Sequence, residues 1–401
     1  MNKCGIYVFL LLLSILGVSC TEKASLVDDG ALIGPGIHSD FDTDLFRSVI
    51  SNEPKNKNVV ISTVSVSSVL RMILAGAEGN SANEIVRAYG GDSLSAIELL
   101  ADAKNFNNWL ATRSGNSIVE LSNAVFYDRN TFNPLPTYIE SLSGNFNAEE
   151  IEADFSNQTE ALSMINGWVN TKTKTRIPRI LNSIDPDEVM FLVNALYLKA
   201  DWLDGFDDRR TADRDFTLAD GSVIQVPTMA ADKSIINYSD EDLTAIELPY
   251  KDEEISMYLI KPLNGDVEGL VSNFSARKFD AIKDNFKKGR LLLSMPSFEV
   301  EYKNEQMVDR LKGLGIFDIF GNTANLTKMA EQKNLKVSRV IHKTYLTVDE
   351  RGTEGAAVTL GGVSVTSVPP QMDFNSPFMF IIANKTTNDF LFMGRISNPK
   401  E

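Results

Sequence analysis

Between Thr353 and Thr366 the chain has the composition of a β-strand, yet loop chemistry bounds it: Asp349-Glu350-Arg351-Gly352 before and Val368-Pro369-Pro370 after. The stretch holds three Thr, three Val and three Gly but a single charge, Glu354. In an extended chain successive side chains alternate faces. The set in phase with Thr353 is Gly355, Ala357, Thr359, Gly361, Val363 and Val365, all small or β-branched and none charged. Glu354 falls on the opposite face. A segment of this kind can slip between two existing strands without burying a charge. It reads as a strand held in reserve.

The first 20 residues carry Lys3, the apolar run Ile6 to Leu16, and Gly17-Val18-Ser19-Cys20. This pattern is an export signal, too short and too early for a spanning helix of the mature chain. A Cys after small residues at its end resembles a bacterial lipoprotein cleavage site, although Gly17 stands where an aliphatic residue is usual. The expectation is a signal peptide over 1–19, a lipidated Cys20 with a tether to residue 40, and a membrane anchor; plain secretion is the alternative. The protein would then face the outer membrane, cell surface or periplasm. Removing residues 1–19 takes away Cys4 and Lys3 and moves the net charge from −15 to −16. With Cys20 acylated no thiol is left for a disulfide or a metal. The acidic balance, with no basic stripe, argues against nucleic acid.

Helical spacing is read over Leu45–Ile50, Ser65–Gly76, 81–89, 95–112, 134–145 and 157–171. Ser65–Gly76, apolar and rich in small residues, suits deep burial. From about residue 188 strands dominate: Val223–Met229, Leu243–Tyr250, Ile255–Pro262, Arg290–Tyr302, Val337–Val348, Pro377–Ala383 and Asp389–Ile396. Helices near 266–285 and 304–314 interrupt them. Helices first and strands later indicate an α+β fold.

Hydrolytic chemistry is short of parts. A Ser or Cys nucleophile needs a base, usually His, and the chain has only His38 and His342. His38 falls in the tether and His342 inside a strand pattern. Gly-x-Ser-x-Gly, a phosphate-binding loop and His-Glu-x-x-His are all missing. The acidic runs Asp240-Glu241-Asp242 and Asp252-Glu253-Glu254 read as solvated loops. No cofactor or metal site is expected.

Asp349-Glu350-Arg351-Gly352-Thr353-Glu354, followed by small residues, resembles the hinge of the serpins, conformationally labile protease inhibitors. Phe374-Asn375-Ser376-Pro377-Phe378-Met379-Phe380 and the run Phe390 to Pro399 resemble the family's C-terminal signature, and Phe191 to Trp202 its central strand. The resemblance spans roughly residues 40 to 401. It implies one domain over 41–401, with about nine helices, three β-sheets and an exposed reactive-centre loop over 352–370.

The implied activity is suicide inhibition of a serine protease, with cysteine proteases as further targets; the chain would be a monomer and not an enzyme. The alternative is a non-inhibitory member, a carrier or a plain substrate. Family spacing counted from Glu350 and from Val368-Pro369-Pro370 gives the same cut, Thr366–Ser367. Val363, Ser364 and Val365 precede it, and small β-branched bait suits pockets of the elastase or subtilisin type. The hinge is Glu350, Gly352, Thr353, Glu354, Gly355, Ala356 and Ala357. Ser62, Ser65, Asn194 and His342 match a buried cluster expected to bond across the gap that the loop enters, and Trp202 a tryptophan where insertion begins. Four departures stand out. Thr63 replaces a usual Pro, Gly355 a usual Ala, and Val358 is larger than usual. Ser297 occupies the place of a Lys that often pairs with the residue at Glu350.

Overall fold

The computed structural model describes residues 39–90, 94–113, 117–332, 334–353 and 369–401. Cys20, His38, the hinge residues Glu354, Gly355, Ala356 and Ala357, Val358, and the bait residues Val363, Ser364, Val365, Thr366, Ser367 and Val368 lie outside them. All described residues belong to one unit, with nine α-helices and three sheets among them.

The first helix, Ser39–Ile50, opens two residues before the boundary expected at 41. Thr63–Gly76 follows, capped by Ser62, whose Oγ accepts from the Ser65 N–H at 3.3 Å. That side-chain acceptor satisfies one of the orphan donors of a helix start. Twelve of the helix's fourteen residues are buried, in line with its apolar, small-residue composition. It forms the floor of the molecule's central sheet.

Two of the three sheets make up this central layer, and no ladder joins them among the described residues. One has four strands in the order Gly352–Thr353, Met190–Asp201, Ile118–Asp128, Glu149–Ala153. The other pairs Phe298–Asn304 with His342–Val348 over seven residues. Gln158–Lys172 packs Ala161, Ile165 and Val169 onto Phe126 and Val193 of the four-stranded ladder. A nine-stranded sheet holds the rest, from Val59–Ile61 through the C-terminal strands Phe390–Ile396 and Phe378–Asn384 to Lys287–Pro296 and Gln371–Asp373. The chain therefore leaves one sheet at Thr353 and enters the other at Gln371, paired in parallel with Leu292.

Several boundaries differ from the periodicity reading. Arg290–Tyr302 is two strands, because Pro296-Ser297 breaks the ladder and hands the chain to a different sheet. A proline has no N–H to offer a ladder. Val337–Val348 is a strand only from His342; before it the backbone is tied elsewhere, Val337 N–H donating to Ile319 O at 2.8 Å. The helix expected over 266–285 is interrupted between Ser272 and Ala276, where Ser275 starts a second helix. Ile118–Asp128, Glu149–Ala153 and Ala212–Thr217 are strands that the sequence did not announce. Nor is Asp252 a solvated loop residue: its carboxylate is buried against the Arg113 guanidinium, which also reaches Glu254 at 3.1 Å.

Candidate functional site

The site is a slot between Met190–Asp201 and His342–Val348. On one edge, Met190–Asp201 pairs with Ile118–Asp128 from Met190 to Lys199. On the other edge, its ladder partners among the described residues are Gly352, opposite Asp201, and Thr353, opposite Ala200. Three cavities follow one another below that contact. A space of about 10 Å³ is lined by Thr353, Leu198 and Leu346, and one of about 20 Å³ by Asn194 and His342. The largest, about 240 Å³, lies between Met190–Asn194 and Leu335–Ile341, with Val69 and Ile73 of the central helix inside and Leu181 outside. Each cavity is lined from both flanking segments, so together they trace the length of a missing strand.

At the top, the hinge is fastened residue by residue. Asp349 Oδ1 accepts the N–H groups of Arg351 at 2.8 Å and Gly352 at 3.2 Å, forming a tight turn. Trp202 donates its ring N–H to Asp349 O at 2.9 Å and its backbone N–H to Arg351 O at 2.8 Å. Phe206 N–H donates to Glu350 O at 2.8 Å. Gly352 has φ +152°, and a Cβ there would lie 2.1 Å from Ala200 O. Close approach to the strand, as well as freedom of φ, demands glycine.

Thr353 is 1 % exposed. Its hydroxyl meets the Tyr250 phenol at 2.8 Å, and the Tyr250 ring stacks on Trp202 at 4.7 Å between centres. Burial pushes the Tyr250 phenol well up, so it stays protonated and available for this bond. Glu350 has a partner that the sequence did not reveal: Thr211 donates its hydroxyl to Glu350 Oε1 at 2.6 Å. Ser297, in place of the expected Lys, turns to Pro227 instead, its N–H donating to Pro227 O at 3.0 Å.

In the middle, Ser62, Ser65, Asn194 and His342 line one small cavity, but they do not form one network. The backbone N–H of Ser62 donates to His342 Nε2 at 3.1 Å, and the Ser62 and Ser65 hydroxyls meet at 2.8 Å. Nε2 as an acceptor leaves the ring proton on Nδ1. Burial pushes the imidazole down to about 4, which keeps it neutral at ordinary pH. Asn194 faces them from the other side and bonds away from them, its amide donating to Asn123 Oδ1 at 2.8 Å. Its own Oδ1 is buried with no partner. The expected bond across the gap is absent from Asn194, whose amide goes to Asn123 on the neighbouring strand. Thr63, in place of proline, donates its hydroxyl to Phe390 O at 2.8 Å and ties the helix start to the C-terminal strand.

No group of three or more His, Cys, Asp or Glu among the described residues is arranged to hold a metal. No helix among them is long and apolar enough to cross a membrane.

Among the described residues, Gly352 and Thr353 begin a strand on an edge of the four-stranded sheet that has no further partner. The model of the serpin (serine protease inhibitor) family matches residues 37–399, and the chain belongs to that family, one of protease inhibitors and not of enzymes. Leukocyte elastase inhibitor of Xenopus tropicalis is 32 % identical over 373 residues, covering 90 % of this chain and 97 % of its own. Human neuroserpin is 31 % identical over 364 residues, with 86 % and 87 % covered. Among solved structures, thyroxine-binding globulin in complex with thyroxine superposes with a TM-score of 0.83 at 26 % identity, covering 91 % of this chain and 99 % of that one.

Proposed function

We propose that this chain is a suicide inhibitor of serine proteases with elastase- or subtilisin-like pockets, and that it works by strand uptake after cleavage at Thr366–Ser367. The observation that carries the reading is the pairing of Gly352 and Thr353 at the head of a strand edge that has no other ladder partner among the described residues. Continued in that register, Glu354 comes opposite Lys199 and Thr359 opposite Asn194, whose Oδ1 lacks a partner. Val363 comes opposite Met190, beside the large cavity. The one charge of the segment thus meets an opposite charge, and its uncharged face meets the cavities.

The chemistry belongs to the protease. Its nucleophilic oxygen attacks the Thr366 carbonyl carbon, the Thr366–Ser367 amide breaks, and the Ser367 nitrogen leaves with a proton. A cysteine protease would form the thioester instead. Fourteen residues, 353–366, span on the order of 46 Å as a strand, enough to carry the ester-linked protease from one end of the slot to the other. About ten new ladder bonds at roughly 0.5–1.5 kcal/mol each drive the movement.

Incubation with an elastase-like protease is expected to give an adduct that survives boiling in detergent, together with a released peptide beginning at Ser367. The nicked protein should also melt at least about 10 °C above the intact one, at roughly 2–4 °C per kcal/mol. Cleavage with neither adduct nor thermal shift would support the second reading, a non-inhibitory carrier or substrate. In favour of that reading stands the likeness to thyroxine-binding globulin; Gly355 and Val358 leave the inhibitory reading intact but would slow uptake, and slow uptake gives a plain substrate. We propose further that the chain is an exported, monomeric bacterial lipoprotein held at a membrane through Cys20. Loss of membrane association in Cys20→Ser would support the anchor.

A further inference from the structure

The far end of the slot is tied by a charged fork. Glu188 lies two residues before Met190–Asp201, and Arg339 three residues before His342–Val348. Arg339 Nε donates to Glu188 Oε1 at 2.6 Å, and a terminal nitrogen donates to Oε2. The same guanidinium donates to Ser183 O at 3.0 Å and lies 5.6 Å from the centre of the Phe191 ring. The Glu188 carboxylate, 1 % exposed, also accepts from the Ser338 hydroxyl at 2.9 Å and the Asp185 N–H at 2.8 Å. Both Glu188 and Arg339 line the 240 Å³ cavity, and neither touches the hinge nor the His342 cluster.

An incoming strand must pass through this fork. In the register set by Gly352 and Thr353, Val365 arrives level with Glu188. A strand laid between two others adds one strand spacing, about 4.8 Å, between them. Hydrogen bonds set near 2.6 Å have no slack for such a displacement while each residue stays with its own segment.

We propose that Glu188 and Arg339 form a clasp that holds the lower end of the slot shut and must open before strand uptake is complete. The clasp thereby sets the uptake rate and, through it, the division of attacked molecules between trapped protease and cleaved, released inhibitor. Both are positioning residues, since neither contacts the scissile bond. The inference rests on the strand-uptake part of the reading above.

The test uses the full chain and a synthetic peptide of residues 354–365, whose uptake beyond the paired Thr353 of the intact protein needs no protease. Glu188→Gln keeps the shape and one acceptor oxygen, which can still take the Asp185 N–H, while removing the charge. It is expected to speed peptide uptake by about threefold or more, as loss of a charge-assisted bond implies. Arg339→Lys, which keeps the charge but not the fork, should fall between Glu188→Gln and wild type. Both variants should melt earlier than wild type when intact and together with it when nicked, because the clasp is open in the nicked form. Unchanged uptake, or equal loss of Tm in intact and nicked forms, overturns the clasp. If the wild type traps no protease while Glu188→Gln still speeds uptake, the clasp stands and the inhibitor reading falls. If the wild type traps protease and uptake is unchanged in the variant, the clasp alone falls.

Discussion

The upper end of the slot is closed by the chain's own next strand: two ladder residues, a stacked Trp202–Tyr250 pair and neutral hydrogen bonds among buried groups. Twelve residues lower on the same strand edge, the closure is an ion pair whose arginine side chain is 30 % exposed. A ladder that has begun correctly can lengthen without undoing what is already made. An ion pair between segments that must part has to break each time, and its strength falls with salt because part of it meets water. On the proposed reading insertion would be favoured from one end and restrained at the other, with the neutral His342 cluster midway.

The severest challenge to this contrast falls on the upper end. Thr353→Arg would place a guanidinium where Thr353 meets Tyr250; the buried acid whose charge reaches that phenol, Asp252, is already paired with Arg113. An unpaired buried charge costs about 3–5 kcal/mol, and each 1.36 kcal/mol is about tenfold in rate. The detergent-stable adduct should therefore drop by two orders of magnitude or more, with the cleaved chain taking its place on a gel. Full retention of adduct would show that Thr353 does not have to enter the sheet.

The middle of the slot responds to pH. Burial holds His342 near 4, against about 6.5 in an unfolded chain, so between those values the unfolded state binds more protons. Stability contributed by neutral His342 is complete above about pH 6.5 and is lost as pH falls toward 4, about 3 kcal/mol in all. Asp42 acts in the opposite sense, since burial raises its carboxyl, and comparison with His342→Asn separates the two. The intact wild type is expected to lose Tm steeply from pH 6.5 to 4, and His342→Asn to lose much less. Parallel curves would remove His342 as the acid-sensitive point.

How much of this was legible in the sequence depended on what each residue had to do. Gly352 and Thr353 stood out because a small, uncharged, alternating set beside loop residues is rare, and both stand at the hinge. The deep burial of Thr63–Gly76 showed in its composition. Glu149–Ala153 was hidden because an edge strand with Glu149, Glu150 and Glu152 has the composition of a loop; its partner Ile118–Asp128 supplies the ladder. Thr211, Tyr250, Asn123 and the Glu188–Arg339 pair left no local trace, because their partners lie 139, 103, 71 and 151 residues away. The direction of Asn194 was misread for the same reason: a motif brings side chains to one cavity, whereas the neighbouring strand decides which of them bond.

The smallest expected effect probes whether the upper closure is held by backbone alone. Tyr250→Phe keeps the stack on Trp202 and removes only the hydroxyl that meets Thr353 Oγ1 at 2.8 Å. Thr353 then keeps its backbone position opposite Ala200 but leaves a buried hydroxyl without its partner, at a cost of about 1–2 kcal/mol. Hydrogen exchange at the Thr353 amide should quicken by roughly five- to thirtyfold if the hinge opens as a unit, since 1.4 kcal/mol is about tenfold. The Glu188–Arg339 end, about 40 Å away at 3.3 Å per residue, should show no change in exchange. Quickening at both ends would mean that the slot opens as one body, and the division between a neutral upper closure and a charged lower one would lose its mechanical meaning.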